Sequence, residues 1–582
     1  MLSWLLLLTA CRRPAAIETP TPTPASADAP ELSTGCRGEI TGTYGMGGGM
    51  VVSAHPEASR IGADVLRAGG SAADAAAAMA VALTLVEPQS SGIGGGAFIL
   101  HYNADQRELL AYDGRETAPS TFAPEAFLDA TGERRPFPEL VQSGLSVGAP
   151  GLVRLLEQLH EEHGTLPWAD LFTPTADLAE TGFTVTPRMS RSITSFSGGE
   201  GSFMDTLHHH APATDYFLPG GSPLSAGDLL KNPALAQSIR TIAAGGADAF
   251  YSGPLAEQIV ATVQASPRPG ALTLNDLAAY RSVKRAPVCI EYQGDRQLCG
   301  HPPPTSGGVT VLQILGILDS IEDRSEGPHQ LIEATRLAWA DRGAYLGDPR
   351  TLAEGTVEAM LDPDYLRERA TLIGEVALAD IQPGSFALPP PPAAELCPEG
   401  NDTTHLIAVD RDGDVVSMTS SIENAFGSGL MVGGFLLNNQ LTDFDGPGHP
   451  NAPAACKRPR SSMAPVMVLD ENGEVELAVG SPGGARIISY VARVIDQVYT
   501  EEIDIQAAIS RPNVTGWGEL ESGCGTPALG PADVAALQDL GHERAHLESV
   551  RLNSGLHGIQ RVGDGWLGGV DPRREGEAIV VE

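Results

Sequence analysis

Basic side chains are scarce in this sequence: 37 Lys and Arg stand against 73 Asp and Glu in 582 residues, a formal charge of −36. A chain so acidic repels phosphate backbones and anionic lipid surfaces, which disfavours a nucleic-acid function. An anionic small molecule would have to be met locally, by an Arg or by a ring of backbone N–H donors, and Arg115 is the candidate. Cysteine is sparse as well, seven in all with no Cys-x-x-Cys pair, so structural zinc is not expected. No apolar run reaches the roughly 20 residues of a membrane helix. A dinucleotide fingerprint is also missing. Gly92, Gly94 and Ala97 imitate part of one, but a helical stretch precedes them and a β-rich run follows, the reverse of the required order. Two histidine groups, His160 with His163 and His208 to His210, lack a third ligand at a metal-binding spacing and are read as solvated side chains. Neither a metal nor another cofactor is expected.

What is present points to a large folded body, since 42% of the residues are hydrophobic and Gly and Pro are spread throughout. Residues 1–10, MLSWLLLLTA, lead into Leu8-Thr9-Ala10-Cys11, a lipoprotein-type signal pattern whose alternative is a plain apolar start. The expectation is export to the periplasm or cell surface, with a lipid on Cys11. Residues 11–37, rich in Pro, Thr and Ala, would be a flexible tether. Six cysteines remain: Cys36, Cys289, Cys299, Cys397, Cys456 and Cys524. Cys289 and Cys299 flank IEYQGDRQL, a hairpin turning at Gly294, so they read either as a cross-strand disulfide or as buried thiols.

Along the body, two helical stretches follow residue 57, one ending at Gly69-Gly70 and one running from Ser71 to just before Pro88. The second is almost all Ala and Val and must be buried. From about Leu152 to Ser385 the pattern is mainly helical with short strands. Residues 383–402 are Pro-rich and aperiodic. Then THLIAVD and VVSMTSSI, joined through Asp412-Gly413, form a β-hairpin signal. Thr403 therefore stands where an exposed loop meets the first strand of a sheet.

That position gives a threonine a chemistry it otherwise lacks. If the chain is cut before Thr403, its new α-amine, with an ordinary pKa of about 7.7 to 8.0, is partly neutral at physiological pH and lies beside its own hydroxyl as a general base. Taken alone, a Thr at the head of a strand is usually structural. Gly480-Ser481-Pro482-Gly483-Gly484-Ala485-Arg486 follows a second strand pair, linked at Asn472-Gly473, and leads into an apolar-periodic helix. The N–H groups of Gly483 and Gly484 at the positive end of that helix suit an oxyanion hole, although a tight turn would read the same way.

In combination the motifs resemble the gamma-glutamyltransferase family. The blocks are VEPQSSGIGGG (86–96), DGRETAP (113–119), SGLSVGAPG (143–151), PPPTSGGV (302–309), TTHLIAVD (403–410), LLNNQLTDF (436–444), KRPRSSMAP (457–465) and GSPGGARI (480–487), in the family's order. The resemblance implies an α+β fold, a four-layer αββα sandwich of the N-terminal-nucleophile hydrolase type. One precursor would yield two chains sharing one core: a large subunit, 38–402, and a small subunit, 403–582. It also implies the roles. Thr403 would attack the Asp402 carbonyl to split the precursor and afterwards the gamma-amide of a donor such as glutathione. Ser421, where relatives often have Thr, would bond Thr403, and Gly483 and Gly484 would hold the oxyanion. Arg115, Ser461 and Ser462 would take the donor's α-carboxylate, and Glu423, Gln440 and Asp443 its α-ammonium. For Arg115 the local alternative is an ion pair with Asp113 or Glu116. The gamma-glutamyl ester would pass to water or to an amino acid or dipeptide amine. Only DGPGHPNAPAAC separates Phe444 from Lys457, so the site is expected to be open. The rival readings are an acylase of the same family, acting on glutaryl-cephalosporins or poly-gamma-glutamate, and a non-catalytic surface lipoprotein.

Overall fold

The computed structural model describes residues 41–198, 205–324, 327–385, 402–516, 519–521, 531–542 and 553–582. The signal and tether expected over residues 1–37, and Cys11, Cys36, Cys397 and Cys524, lie outside the described residues. So does most of the Pro-rich stretch before Asp402.

Two seven-stranded sheets, each antiparallel throughout, lie face to face. One runs Glu577–Val581, Gly49–Ser53, Thr404–Val409, Val415–Ser421, Gly96–Asn103, Glu108–Asp113, Val283–Arg285. The other runs Thr43–Met46, Gly565–Val570, His557–Val562, Val475–Gly480, Val466–Leu469, Arg296–Gly300, Val288–Tyr292. Both sheets combine strands from before and after Thr403, so the two chain segments build one core. Cys289 and Cys299 are directly opposed on adjacent strands and form a disulfide. Cys456 is an exposed free thiol.

The strand pattern sorts the layers by its period of two. Leu406 and Ala408 face a helical layer while their neighbours Ile407 and Val409 face the opposing sheet. The helical layer on this side centres on helix Ala72–Val86, buried along its whole length, and includes helices Pro56–Arg67, Leu152–His163 and Trp168–Thr181. Ser71 and Asp74 close its start as a capping box. On the far side, Leu298, Val466, Val468, Leu477 and Val479 pack under helices Gly307–Asp319, His329–Tyr345 and Ile487–Thr500. The order is helix, sheet, sheet, helix: the α+β sandwich expected from the sequence. Between the sheets, a Cβ on Gly480 would lie 2.3 Å from the His405 ring, so only glycine lets that strand cross there.

The reading of His160 and His163 as solvated needs correction. His163 stacks on buried His101 and bonds the Tyr112 hydroxyl at 2.6 Å, and His160 Nε2 lies 2.8 Å from Leu166 O. Both rings are taken up by core neighbours rather than by water. Of the second group, His208 is an exposed partner of Asp205, and His210 Nδ1 accepts the Met431 N–H at 3.1 Å.

Candidate active site

Asp402 and Thr403 enter the strand Thr404–Val409 buried, 7% and 3% exposed. The Asp402 N–H donates to Glu423 O at 3.2 Å, and its carbonyl oxygen accepts the Ser421 hydroxyl at 2.8 Å. The Thr403 hydroxyl donates to Ser421 Oγ at 3.4 Å. Ser421 ends the strand hydrogen-bonded to the Thr403 strand, where Thr404 opposes Ser420, which is why residues 18 apart meet.

On one side of Thr403 lies a small open hollow lined by Arg115, Thr403, Ser421, Glu423, Gln440, Asp443, Ser461, Ser462, Met463, Gly484 and Ile487. Nine of the residues singled out in the sequence are gathered there. Gly483 is adjacent but does not line it. Its φ is +134°, and a Cβ there would meet the Tyr490 ring at 2.7 Å. A single 3₁₀ turn, Gly484–Arg486, intervenes before the helix Ile487–Thr500.

Arg115 is fully buried. Its Nη2 pairs with Asp443 Oδ2 at 2.6 Å and reaches Arg460 O at 2.8 Å, and its Nε donates to Pro459 O at 3.0 Å. The local alternative is corrected in part. Asp113 receives only the Arg115 backbone N–H, its carboxylate being held by Arg285 and Arg458, while Glu116 Oε2 lies 3.8 Å from Arg115 Nη1. Among the described residues, buried Arg115 Nη1 and Gln440 Oε1 have no hydrogen-bond partner, a donor and an acceptor in reach of a guest. Gln440 Nε2 also donates to Asp443 Oδ2 at 2.9 Å. Ser462 Oγ accepts from Arg342 Nη2 at 2.7 Å. Glu423 sits at φ +83°, an uncommon conformation for a residue with a Cβ. Burial pushes Glu116 up to about 7, even beside Arg115.

On the other side of Thr403 is a buried charge cluster on which sequence reasoning placed no role. Arg188 Nη2 donates to Asp402 Oδ1 at 2.8 Å and its Nη1 to Glu87 Oε1 at 2.6 Å. Arg574 Nη1 lies 3.5 Å from Glu87 Oε1 and 3.4 Å from Thr403 O. Burial raises Glu87 above the ordinary carboxylate range and brings Arg574 down to about 10. Glu87 lies in the VEPQSSGIGGG block; Arg188 and Arg574 carried no signal. His405, two residues from Thr403, is held neutral by burial and by His557.

A buried threonine at the head of a strand of an αββα sandwich, facing a polar hollow, defines an N-terminal-nucleophile type of amide-cleaving or acyl-transferring enzyme. The gamma-glutamyltranspeptidase family profile matches residues 58–581, and the chain belongs to that family. It is 40% identical over 484 residues to a glutathione hydrolase proenzyme of Bacillus subtilis, covering 80% of each chain. It is 34% identical over 536 residues to an acylase ACY 1 proenzyme of a Pseudomonas species, covering 90% of this chain and 91% of the other. The crystal structure of a cephalosporin acylase from Bacillus halodurans superposes with a TM-score of 0.82 at 28% identity, over 97% of this chain and 99% of that one. The protein is accordingly a gamma-glutamyl-transferring and hydrolysing enzyme.

Proposed function

We propose that the chain cuts itself between Asp402 and Thr403 and then uses Thr403 to cleave gamma-glutamyl amides, with glutathione as the reference donor. The observation that carries this is the relay from the Thr403 hydroxyl through Ser421 to the Asp402 carbonyl oxygen, at the edge of a hollow with a buried Arg and two carboxylates. In the precursor, Thr403 Oγ adds to the Asp402 carbonyl carbon while Ser421 donates to the oxygen that takes the charge. The C–N bond breaks, the nitrogen takes the proton the hydroxyl gives up, and an Asp402–Thr403 ester remains. Water hydrolyses it to the Asp402 carboxylate and the Thr403 hydroxyl, leaving one chain that ends at Asp402 and one that begins at Thr403.

In the mature enzyme the Thr403 α-amine accepts the hydroxyl proton as Oγ attacks the donor's gamma-amide carbon, and the leaving amine takes that proton away. The N–H groups of Gly483 and Gly484 serve the oxyanion. The donor's α-carboxylate lies against Arg115 Nη1, Ser461 and Ser462, and its α-ammonium against Gln440 Oε1, Asp443 and Glu423. Water or an amino acid amine then takes the gamma-glutamyl group. Residues 445–456 contribute nothing to the lining of the hollow, and two of them are anchored beside it, Asp445 on Arg460 at 2.8 Å and Asn451 Nδ2 on the main-chain oxygen of Asp443 at 2.7 Å. This supports an open site in which water competes for the ester. Release of an anilide from a gamma-glutamyl anilide by the purified two-chain protein tests the activity; inert two-chain protein overturns it.

A second reading, an acylase for glutaryl amides, is favoured by the likeness to the two acylases over nine-tenths or more of the chain. A glutaryl amide has neither the α-ammonium nor the α-carboxylate, so the charged lining speaks for the gamma-glutamyl donor. For placement, we propose export with a lipid on Cys11. Cys11→Ser should leave the membrane fraction, and equal partition of both forms overturns the anchor.

A further inference from the structure

We infer that Arg188 is a positioning residue for self-cleavage, acting through the Asp402 side chain; the inference rests on the self-cleavage reading above. An attack by a threonine on the peptide bond just before it closes a five-membered ring, so the Asp402 carbonyl has to be presented to Oγ at an angle an ordinary extended strand does not offer. Two backbone anchors hold Asp402, its N–H on Glu423 O and its carbonyl on Ser421 Oγ. Two anchors on one residue leave an axis about which the peptide plane can turn. The third anchor lies off that axis: the carboxylate Oδ1 accepts Arg188 Nη2 at 2.8 Å, Ser90 Oγ at 3.2 Å and Asn553 Nδ2 at 3.5 Å.

Arg188 comes from a helix 214 residues away, Pro187–Ser195, whose start is capped by Thr186. It is 9% exposed, and its other arm is fixed on Glu87 at 2.6 Å. Its backbone N–H donates to Glu575 Oε1 at 2.9 Å. Glu87 also meets Arg574, whose Nη1 reaches the carbonyl oxygen of Thr403. One buried carboxylate thus joins two guanidinium groups that grip the residues on either side of the bond to be cut. None of Arg188, Glu87 and Asp402 lines the donor hollow, so the grip belongs to the precursor's reaction rather than to donor binding.

The test follows the freshly synthesised full-length chain by pulse-chase and mass spectrometry of the two products. Arg188→Met should lengthen the lifetime of the single chain on the order of 10²-fold, the scale of a misplaced reacting group. Arg188→Lys, which keeps the charge, should recover part of the rate. Asp402→Ala leaves the Arg188–Glu87 pair in place, removes only the anchored carboxylate, and should also slow cleavage. The double variant Arg188→Met with Asp402→Ala should be no slower than the slower single one, because both remove the same contact. Cleavage of Asp402→Ala at the parent rate, or multiplication of the two effects in the double variant, overturns the proposal, even where Arg188→Met folds poorly. Thr403→Ala, run in parallel, separates the two layers of the argument: if it still splits, self-cleavage itself is wrong, whereas if it stays intact and Asp402→Ala splits normally, only the role of Arg188 fails.

Discussion

The hydroxyls of Thr403 and Ser421 lie 3.4 Å apart, and that of Ser421 is 2.8 Å from the carbonyl oxygen of Asp402, so one serine stands between the proposed nucleophile and the bond it is proposed to cut. Ser421→Ala removes the donor on that carbonyl and should slow self-cleavage by roughly 10² to 10³-fold. Ser421→Thr, which keeps the hydroxyl, should process at a rate near the parent's. Time courses of chain splitting on gels measure both; equal rates for Ser421→Ala and the parent would remove the relay.

Arg115 and Asp443 face each other at 2.6 Å inside the hollow, and a gamma-glutamyl donor adds one opposite charge to each. A glutaryl amide brings neither, leaving buried polar groups unmatched at about 1 to 3 kcal/mol each. The parent should therefore prefer the gamma-glutamyl amide by roughly 10⁴ in kcat/KM. Arg115→Ala should collapse that preference while self-cleavage continues. Comparable kcat/KM for the two amides in the parent would put the acylase reading first.

Glu116 supplies a pH dependence. Burial raises its folded-state value to about 7 from an ordinary 4.5, so between those values the folded chain holds a proton the unfolded chain has lost. The contribution to stability is full below about 4.5, declines as pH rises, and is gone above about 7, an effect of up to about 3 kcal/mol. Glu116→Gln should flatten this part of the profile and be the more stable form at pH 8. Urea midpoints at pH 5 and pH 8, taken on the unsplit Thr403→Ala background, measure it; parallel shifts in both forms contradict it.

The Cys289–Cys299 disulfide closes a short loop, 10 residues in separation, at one end of the second sheet. Replacing both by Ser should lower stability by roughly 2 to 3 kcal/mol on the chain-entropy account. The pair stands at the edge strand and its neighbour and none of the hollow's lining comes from these strands, so donor kcat/KM should hold. Thermal unfolding and donor kinetics of the double variant give the two readouts.

The parts of this architecture that repeat locally were legible in the sequence. Ser71 and Pro88 bracket the buried helix, Asp412-Gly413 turns the hairpin that carries Thr403 and Ser421, and Gly294 turns the one that carries the disulfide. Nine of the eleven residues that line the hollow could be named from the family resemblance that the motif blocks carry. What could not be read depends on contacts between distant elements. Arg188 meets Asp402 across 214 residues and Arg574 meets Thr403 across 171, and neither has a local pattern to mark it; Glu87, inside a motif block, joins the two without a role the block revealed. Arg115 had two acidic neighbours in sequence, yet Asp113 is occupied by Arg285 and Arg458, and the close partner is Asp443. His160 and His163 looked like surface residues because their neighbours in sequence are polar, while the ring of His101 that covers His163 comes from another element.

The central claim is that Thr403 is the nucleophile of both reactions, and mass spectrometry of the purified protein tests it most directly. The parent should appear as two chains separated between Asp402 and Thr403, and after brief exposure to a gamma-glutamyl anilide the smaller chain should carry one gamma-glutamyl group on Thr403. Thr403→Ala should remain a single chain and take up no label. A Thr403→Ala protein that splits at the same bond, or a label on any other residue, would contradict the account.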